Sequence, residues 1–215
     1  MDVAQVPALV TGVNICAYWT SVGYMVVRVG RKSRGMARLL APSQPRERIM
    51  VLVWVPLVIG WMLLPLVAAG QPPGAASIWA LPAWTGAPAV LAWRWAATAL
   101  AVGCWLASIA CWRHMGCHWR MAVDPQKPPV LLTDGPFAIV RHPIYALSIL
   151  MMACTAVVTP TPLMLLLAVV HITLMHLKAR NEEAFMQRQH GDAYNEYCRR
   201  VGRFVPRWRV GPDTP

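Results

Sequence analysis

Five stretches of the chain are almost continuously apolar, near residues 3–27, 49–70, 88–112, 143–159 and 162–177, and polar clusters separate them. A hydrocarbon core of ~30 Å takes roughly 20 helical residues to cross, so the first three runs are long enough and the last two are short. The pattern predicts an all-α polytopic membrane protein with five transmembrane helices. Thr159-Pro160-Thr161-Pro162 leaves no room for an excursion, which makes the last two spans a helical hairpin. From Leu163 to His190 nothing breaks the helix, so it should project roughly 15–20 Å past the bilayer. Gly191 should stop it, and a short amphipathic helix with Tyr194, Tyr197 and Val201 should follow before Pro206. We divide this single integrated domain (1–215) into a three-helix scaffold, 1–112, and a loop, hairpin and cytoplasmic helical extension, 113–207.

Proline and glycine mark the joints. Gln71-Pro72-Pro73-Gly74 opens an uncharged loop whose Trp79 and Trp84 suit a membrane interface. Asp124-Pro125-Gln126-Lys127-Pro128-Pro129 cannot continue a helix. Thr133-Asp134-Gly135-Pro136 is a turn signal that lets the backbone approach a ligand closely at Gly135.

Composition agrees with this reading: 57% of the 215 residues are hydrophobic and only 13% charged, too few charges for an ordinary soluble domain. The mean hydropathy is +0.43. A net charge of +11 would suggest nucleic acid in a soluble protein, but its placement excludes that. Seven Lys/Arg lie in 28–48, four in 113–142 and eight in 178–209, while 1–10, 71–87 and 159–162 hold none. Positive loops stay in the cytoplasm, so the N-terminus is expected outside and the C-terminus inside. Some of these cations should also meet anionic lipid heads. The expected location is a bacterial inner membrane. Asp2 in place of a basic leader argues against a cleaved signal, and Gly211-Pro212-Asp213-Thr214-Pro215 is no prenylation box.

The last cation, Arg94, falls inside the third span and is expected to snorkel outward, or else to greet an anionic head group. The six cysteines show no paired extracellular pattern, and no disulfide is expected. Cys111, His114, Cys117 and His118 recur at helical spacing and could present soft ligands to zinc or copper. The simpler reading, a helix end packed with small polarisable residues, is preferred, and no metal is assigned.

Chemistry gathers in two clusters that flank the hairpin. Arg141-His142-Pro143-Ile144-Tyr145 opens the fourth span, with Tyr145 on the same face as both Arg141 and His142. The free N–H groups of a helix start, beside Arg141 and His142, favour a carboxylate or phosphate. Glu182-Glu183 returns on the next helix and can face the same cytoplasmic mouth, where charge-assisted bonds to ribose hydroxyls or an ammonium are worth ~1.5–3 kcal/mol each. Alone, either cluster could be an interfacial anchor or a solvated face; ionisable groups at a membrane edge make the pair a candidate site.

Gly135-Pro136-Phe137, Arg141-His142-Pro143-Ile144-Tyr145, Glu182-Glu183 and Gly191-Asp192-Ala193-Tyr194-Asn195-Glu196-Tyr197 together resemble the C-terminal signature of the isoprenylcysteine carboxyl methyltransferase family, relatives of phospholipid methyltransferases. The resemblance covers about 113–207. It implies S-adenosylmethionine as cofactor, with Arg141 and His142 on its carboxylate, Tyr145 beside it, Glu182 or Glu183 on its ribose or amino group, and the loop Val130–Phe137, including Leu132 and Gly135, over its adenine. Arg180 and Glu182 are the expected catalytic pair. The sequence departs from the family pattern at Leu147, where glycine is usual, at Lys178, where arginine is usual, and at His190, where phenylalanine is usual. Lys178 cannot reproduce a bidentate fork.

The expected function is methyl transfer to a lipophilic acceptor from the bilayer: a prenylcysteine-like carboxylate, a lipid amine or a thiol. Two alternatives stand beside it. One is an NADPH-dependent membrane reductase of the sterol-reductase type, whose C-terminal half is similar. The other is a non-catalytic accessory protein of a metal-resistance system. The sequence does not fix the oligomeric state.

Overall fold

A computed structural model describes residues 2–33, 45–116 and 130–207. Among them the regular structure is helical: α1 (Val6–Ser33), α2 (Pro45–Ala69), α3 (Pro88–Met115), α4 (Pro143–Val158), α5 (Pro162–His190) and α6 (Asp192–Arg200). Four segments are long and apolar enough to cross a membrane: Val3–Arg28, Ile49–Ala69, Pro88–Met115 and Pro162–His190. The expected fifth, α4, is apolar but has only 16 residues, because Pro143 and the Thr159-Pro160 turn bound it closely. The described cysteines Cys16, Cys104, Cys111, Cys154 and Cys198 are free thiols.

Small and polar residues let the helices approach. The buried stripe of α3 runs Arg94, Thr98, Ala101, Cys104, Ser108 and Cys111, with Trp112 beside it, at spacings of three and four residues. That face packs on α4 and α1, while α5 packs on α4 and α2. Trp61, Ile15, Met151, Met152 and Met164 fill the centre. On α5 the stripe Met164, Ala168, His171, Met175 and Ala179 leads toward Glu182 and Glu183, so one helix face joins the core to the polar rim.

Arg94 overturns the snorkelling expectation. Its side chain is fully buried, with Nε donating to the Val158 carbonyl at 2.9 Å and Nη1 to those of Ala4 and Thr85 at 2.6 and 3.0 Å. The last carbonyls of α4 have no partner within the helix, and a guanidinium fork can satisfy one of them while reaching two other segments. Hydropathy along α3 alone cannot reveal this, because the acceptors come from elsewhere in the chain. Asp2 also has a structural use: it caps the short 3₁₀ turn Val3–Gln5, accepting from Ala4 N at 3.0 Å.

Candidate functional site

At the opposite end of α4, His142 is non-helical, at φ −125° and ψ 67°, and Pro143 opens the helix. A residue before proline is pushed out of helical conformation, and a proline at the first helical position forfeits no hydrogen bond. The backbone here pairs with the tail: Arg141 N donates to Gly202 O at 2.8 Å and His142 N to Arg203 O at 3.1 Å. A Cβ on Gly202 would lie 1.9 Å from the Val205 carbonyl oxygen, so only glycine fits this turn. Gly202→Ala is expected to cost the tail about 2 kcal/mol of docking through overpacking, measured as faster proteolysis after Arg200 and Arg203.

Glu183 is the hub. Arg141 donates to its Oε1 from Nε at 3.1 Å and from Nη2 at 2.9 Å. Arg203 donates from Nε to Oε1 at 3.0 Å and from Nη2 to Oε2. His142 Nε2 lies 3.3 Å from Oε1, yet it is buried without a hydrogen bond. Arg141 also reaches the carbonyls of Val201 and Cys198 through Nη1. Both glutamates lie past the apolar run that ends at Leu177. Burial pushes the Glu183 carboxyl up, but His142, Arg203 and Arg141 outweigh it and hold the group well below the usual carboxylate range.

Glu182 is placed differently. It is the more open of the two carboxylates, accepting from the Tyr145 hydroxyl through Oε1 and lying 3.7 Å from His142 Nδ1 through Oε2. The His142 and Tyr145 rings stack at 5.4 Å and 6°. Lys178 Nζ lies 5.6 Å from the centre of the Tyr145 ring. Arg180 is exposed, and two residues of helix rotate it by roughly 200° from Glu182. The structure therefore brings Lys178, not Arg180, to Tyr145.

The loop is held from two sides. Tyr197 donates its hydroxyl to the Phe137 carbonyl at 2.6 Å. Gly135, at φ +54°, packs against the His114 ring: a Cβ there would be 2.7 Å from Cε1. The close approach expected at Gly135 is thus to His114, which also stacks on Phe137 and pairs with Asp134 at 3.4 Å. Leu131 packs on Tyr194, Tyr197 and Val201, and its neighbour Leu132 is half-buried. No group of three metal-ligating side chains occurs among the described residues, and Cys117 and His118 of the candidate metal cluster lie outside them.

Residues 91–193 match the family model of phospholipid methyltransferase. The matched segment, 103 of the 215 residues, is similar to that family. That family is related to the isoprenylcysteine carboxyl methyltransferases, and the match together with the apolar helices points to a membrane methyltransferase. No curated protein and no solved structure matches the chain. The methyltransferase segment includes Arg141, His142, Tyr145, Glu182 and Glu183, but it stops before the tail. Gly202, Arg203 and Phe204 complete the site from outside it, and sequence reasoning counted Arg203 only as a topogenic charge. Phe204 meets His142 at 6.0 Å and His176 at 4.8 Å between ring centres.

Proposed function

We propose that the protein transfers a methyl group from S-adenosylmethionine to a lipophilic acceptor arriving from the bilayer, at a rim facing the cytoplasm of a bacterial inner membrane. Residues 1–112 act as scaffold and 113–207 carry the site. The observation that carries this reading is the division of labour between the two carboxylates. Glu183 is saturated by two guanidinium groups and faced by His142 Nε2 at 3.3 Å, whereas Glu182 is the more open carboxylate, 3.7 Å from His142 Nδ1. The helix start beside His142 suits a cofactor carboxylate, and Glu182 suits its ammonium or ribose.

When bound, the cofactor supplies an electrophilic methyl on a sulfonium. Arg141 then serves by positioning, since its donors are spent on Glu183 and the tail. Tyr145, stacked on His142, orients Glu182 by its hydroxyl. Lys178, over the Tyr145 face, stabilises negative charge on an incoming acceptor. Methyl displacement needs alignment more than acid–base help when the nucleophile is already ionised. For a protonated acceptor, Glu182 is the nearest group to take the proton.

Thermal stability in detergent tests this. S-adenosylhomocysteine at 100 times its Kd should add about 2.7 kcal/mol, with NADPH and Zn²⁺ adding nothing. Glu182→Gln should weaken the S-adenosylhomocysteine effect at least about tenfold, the worth of one charge-assisted hydrogen bond. Stabilisation by NADPH alone would overturn the reading.

A further inference from the structure

Within the bundle, on the bilayer side of the rim, several polar groups are buried without partners among the described residues: both amide atoms of Asn14, the indole nitrogens of Trp19 and Trp112, and Nδ1 of His171. Asn14, Trp112 and His171 are 5%, 4% and 0% exposed. Comparable groups nearby are satisfied. Trp61 donates its indole N–H to Thr155 Oγ1 at 3.0 Å, and Trp105 reaches Ser21 Oγ at 3.3 Å. An unsatisfied polar group buried in a protein costs about 1–3 kcal/mol, and lipid offers it no water. Four such residues in one bundle need a common explanation.

They share one locus. The Tyr18 ring is 5.8 Å from that of Trp112 and 6.5 Å from that of Trp61; Trp61 is 5.8 Å from Trp19 and 4.9 Å from His171. Asn14 lies one helical turn before Tyr18 on the same face of α1. His171 Nε2 contacts Ser148 Oγ at 3.0 Å, and Ser148 lies three residues beyond Tyr145 on α4. Roughly one turn of helix therefore joins this aromatic-walled locus to the proposed reaction site. None of the residues framing it is an acid, a lysine or an arginine, and a charge buried there would have no counter-ion.

We propose that this locus is a binding subsite for an uncharged hydrogen-bonding group, such as a hydroxyl, phenol or carbonyl, carried on the apolar chain of the lipophilic acceptor. One or two of the three donors, the indole N–H groups and the Asn14 amide, serve its oxygen, and the Asn14 carbonyl or His171 accepts from its hydroxyl. In naming the acceptor's class, it rests on the methyltransferase reading; as a binding site it is measured separately.

The test uses the full-length protein in lipid nanodiscs and three probes of equal chain length: hexadecylphenol, hexadecanoate and hexadecylamine. The expected result is that hexadecylphenol binds preferentially and that Trp112→Phe and Asn14→Leu each weaken it about tenfold, the worth of one hydrogen bond. S-adenosylhomocysteine affinity should not change in either variant, which also reports that each is folded. Trp19→Phe provides an independent variant should one of these fail to fold. Equal binding of the charged probes, or phenol binding indifferent to the variants, overturns the proposal. Absence of S-adenosylhomocysteine binding in the unaltered protein would instead overturn the methyltransferase reading, and the probe result would stand by itself.

Discussion

Glu183→Ala is expected to release the C-terminal tail and abolish the stabilisation given by S-adenosylhomocysteine. The substitution removes the acceptor of four hydrogen bonds from Arg141 and Arg203. Arg141, with a side chain only 10% exposed, is left as a largely buried cation without its carboxylate. Breaking such a pair costs about 3 kcal/mol, enough to loosen a segment held otherwise by two backbone bonds, the Arg141 bonds to the Val201 and Cys198 carbonyls, the Tyr197–Phe137 bond and a few aromatic contacts. Proteolysis of the tail and a ligand titration by thermal unfolding check the two halves of this result. Glu183→Gln should lie between, because an amide oxygen still accepts but carries no charge.

The same carboxylate sets a pH response. Its folded-state pKa lies below the unfolded value of about 4.3, so its contribution is complete above that pH and is lost as pH falls below it. Tail docking should be flat from about pH 6 to 8 and weaken only in acid.

The second large effect is expected at the far end of α4. Arg94→Met should lower stability by about 3 kcal/mol while leaving S-adenosylhomocysteine affinity unchanged. Three carbonyls lose their donor, at about 1–3 kcal/mol each, and the relief of a buried, uncompensated cation offsets part of that sum. Arg94→Lys should recover roughly half, since an ammonium keeps the charge but cannot span all three carbonyls. Thermal unfolding of the variants gives the stability. Unchanged ligand affinity separates a structural staple from a headgroup-binding residue.

The periodic features of the chain were readable in advance because they are local. Apolar runs, the Thr159–Pro162 turn and the helix stop at Gly191 follow from spacing alone. What could not be read depends on contacts between distant segments. Glu182 and Glu183 are adjacent in sequence, yet one helical step separates a saturated structural carboxylate from an open one. Arg203 resembles any other basic tail residue until Gly202 turns it back beside His142. Arg180 and Lys178 look equally suited to the site by charge, and only the helical rotation sets Lys178 rather than Arg180 beside Tyr145. Arg94 was misjudged for a related reason: a hydropathy plot has no place for carbonyls donated by three other segments.

The shortness of α4 has a consequence for turnover. Sixteen residues are roughly 24 Å of helix, about 6 Å less than the hydrocarbon thickness. A helix this short, with its far end pinned by Arg94, would hold its start no farther out than the level of the lipid heads. On the methyltransferase reading, acceptor and product then never leave the oil. Their supply is set by their density in the leaflet and by lateral diffusion, so diluting the membrane with inert lipid should slow the enzyme while diluting the aqueous protein suspension should not.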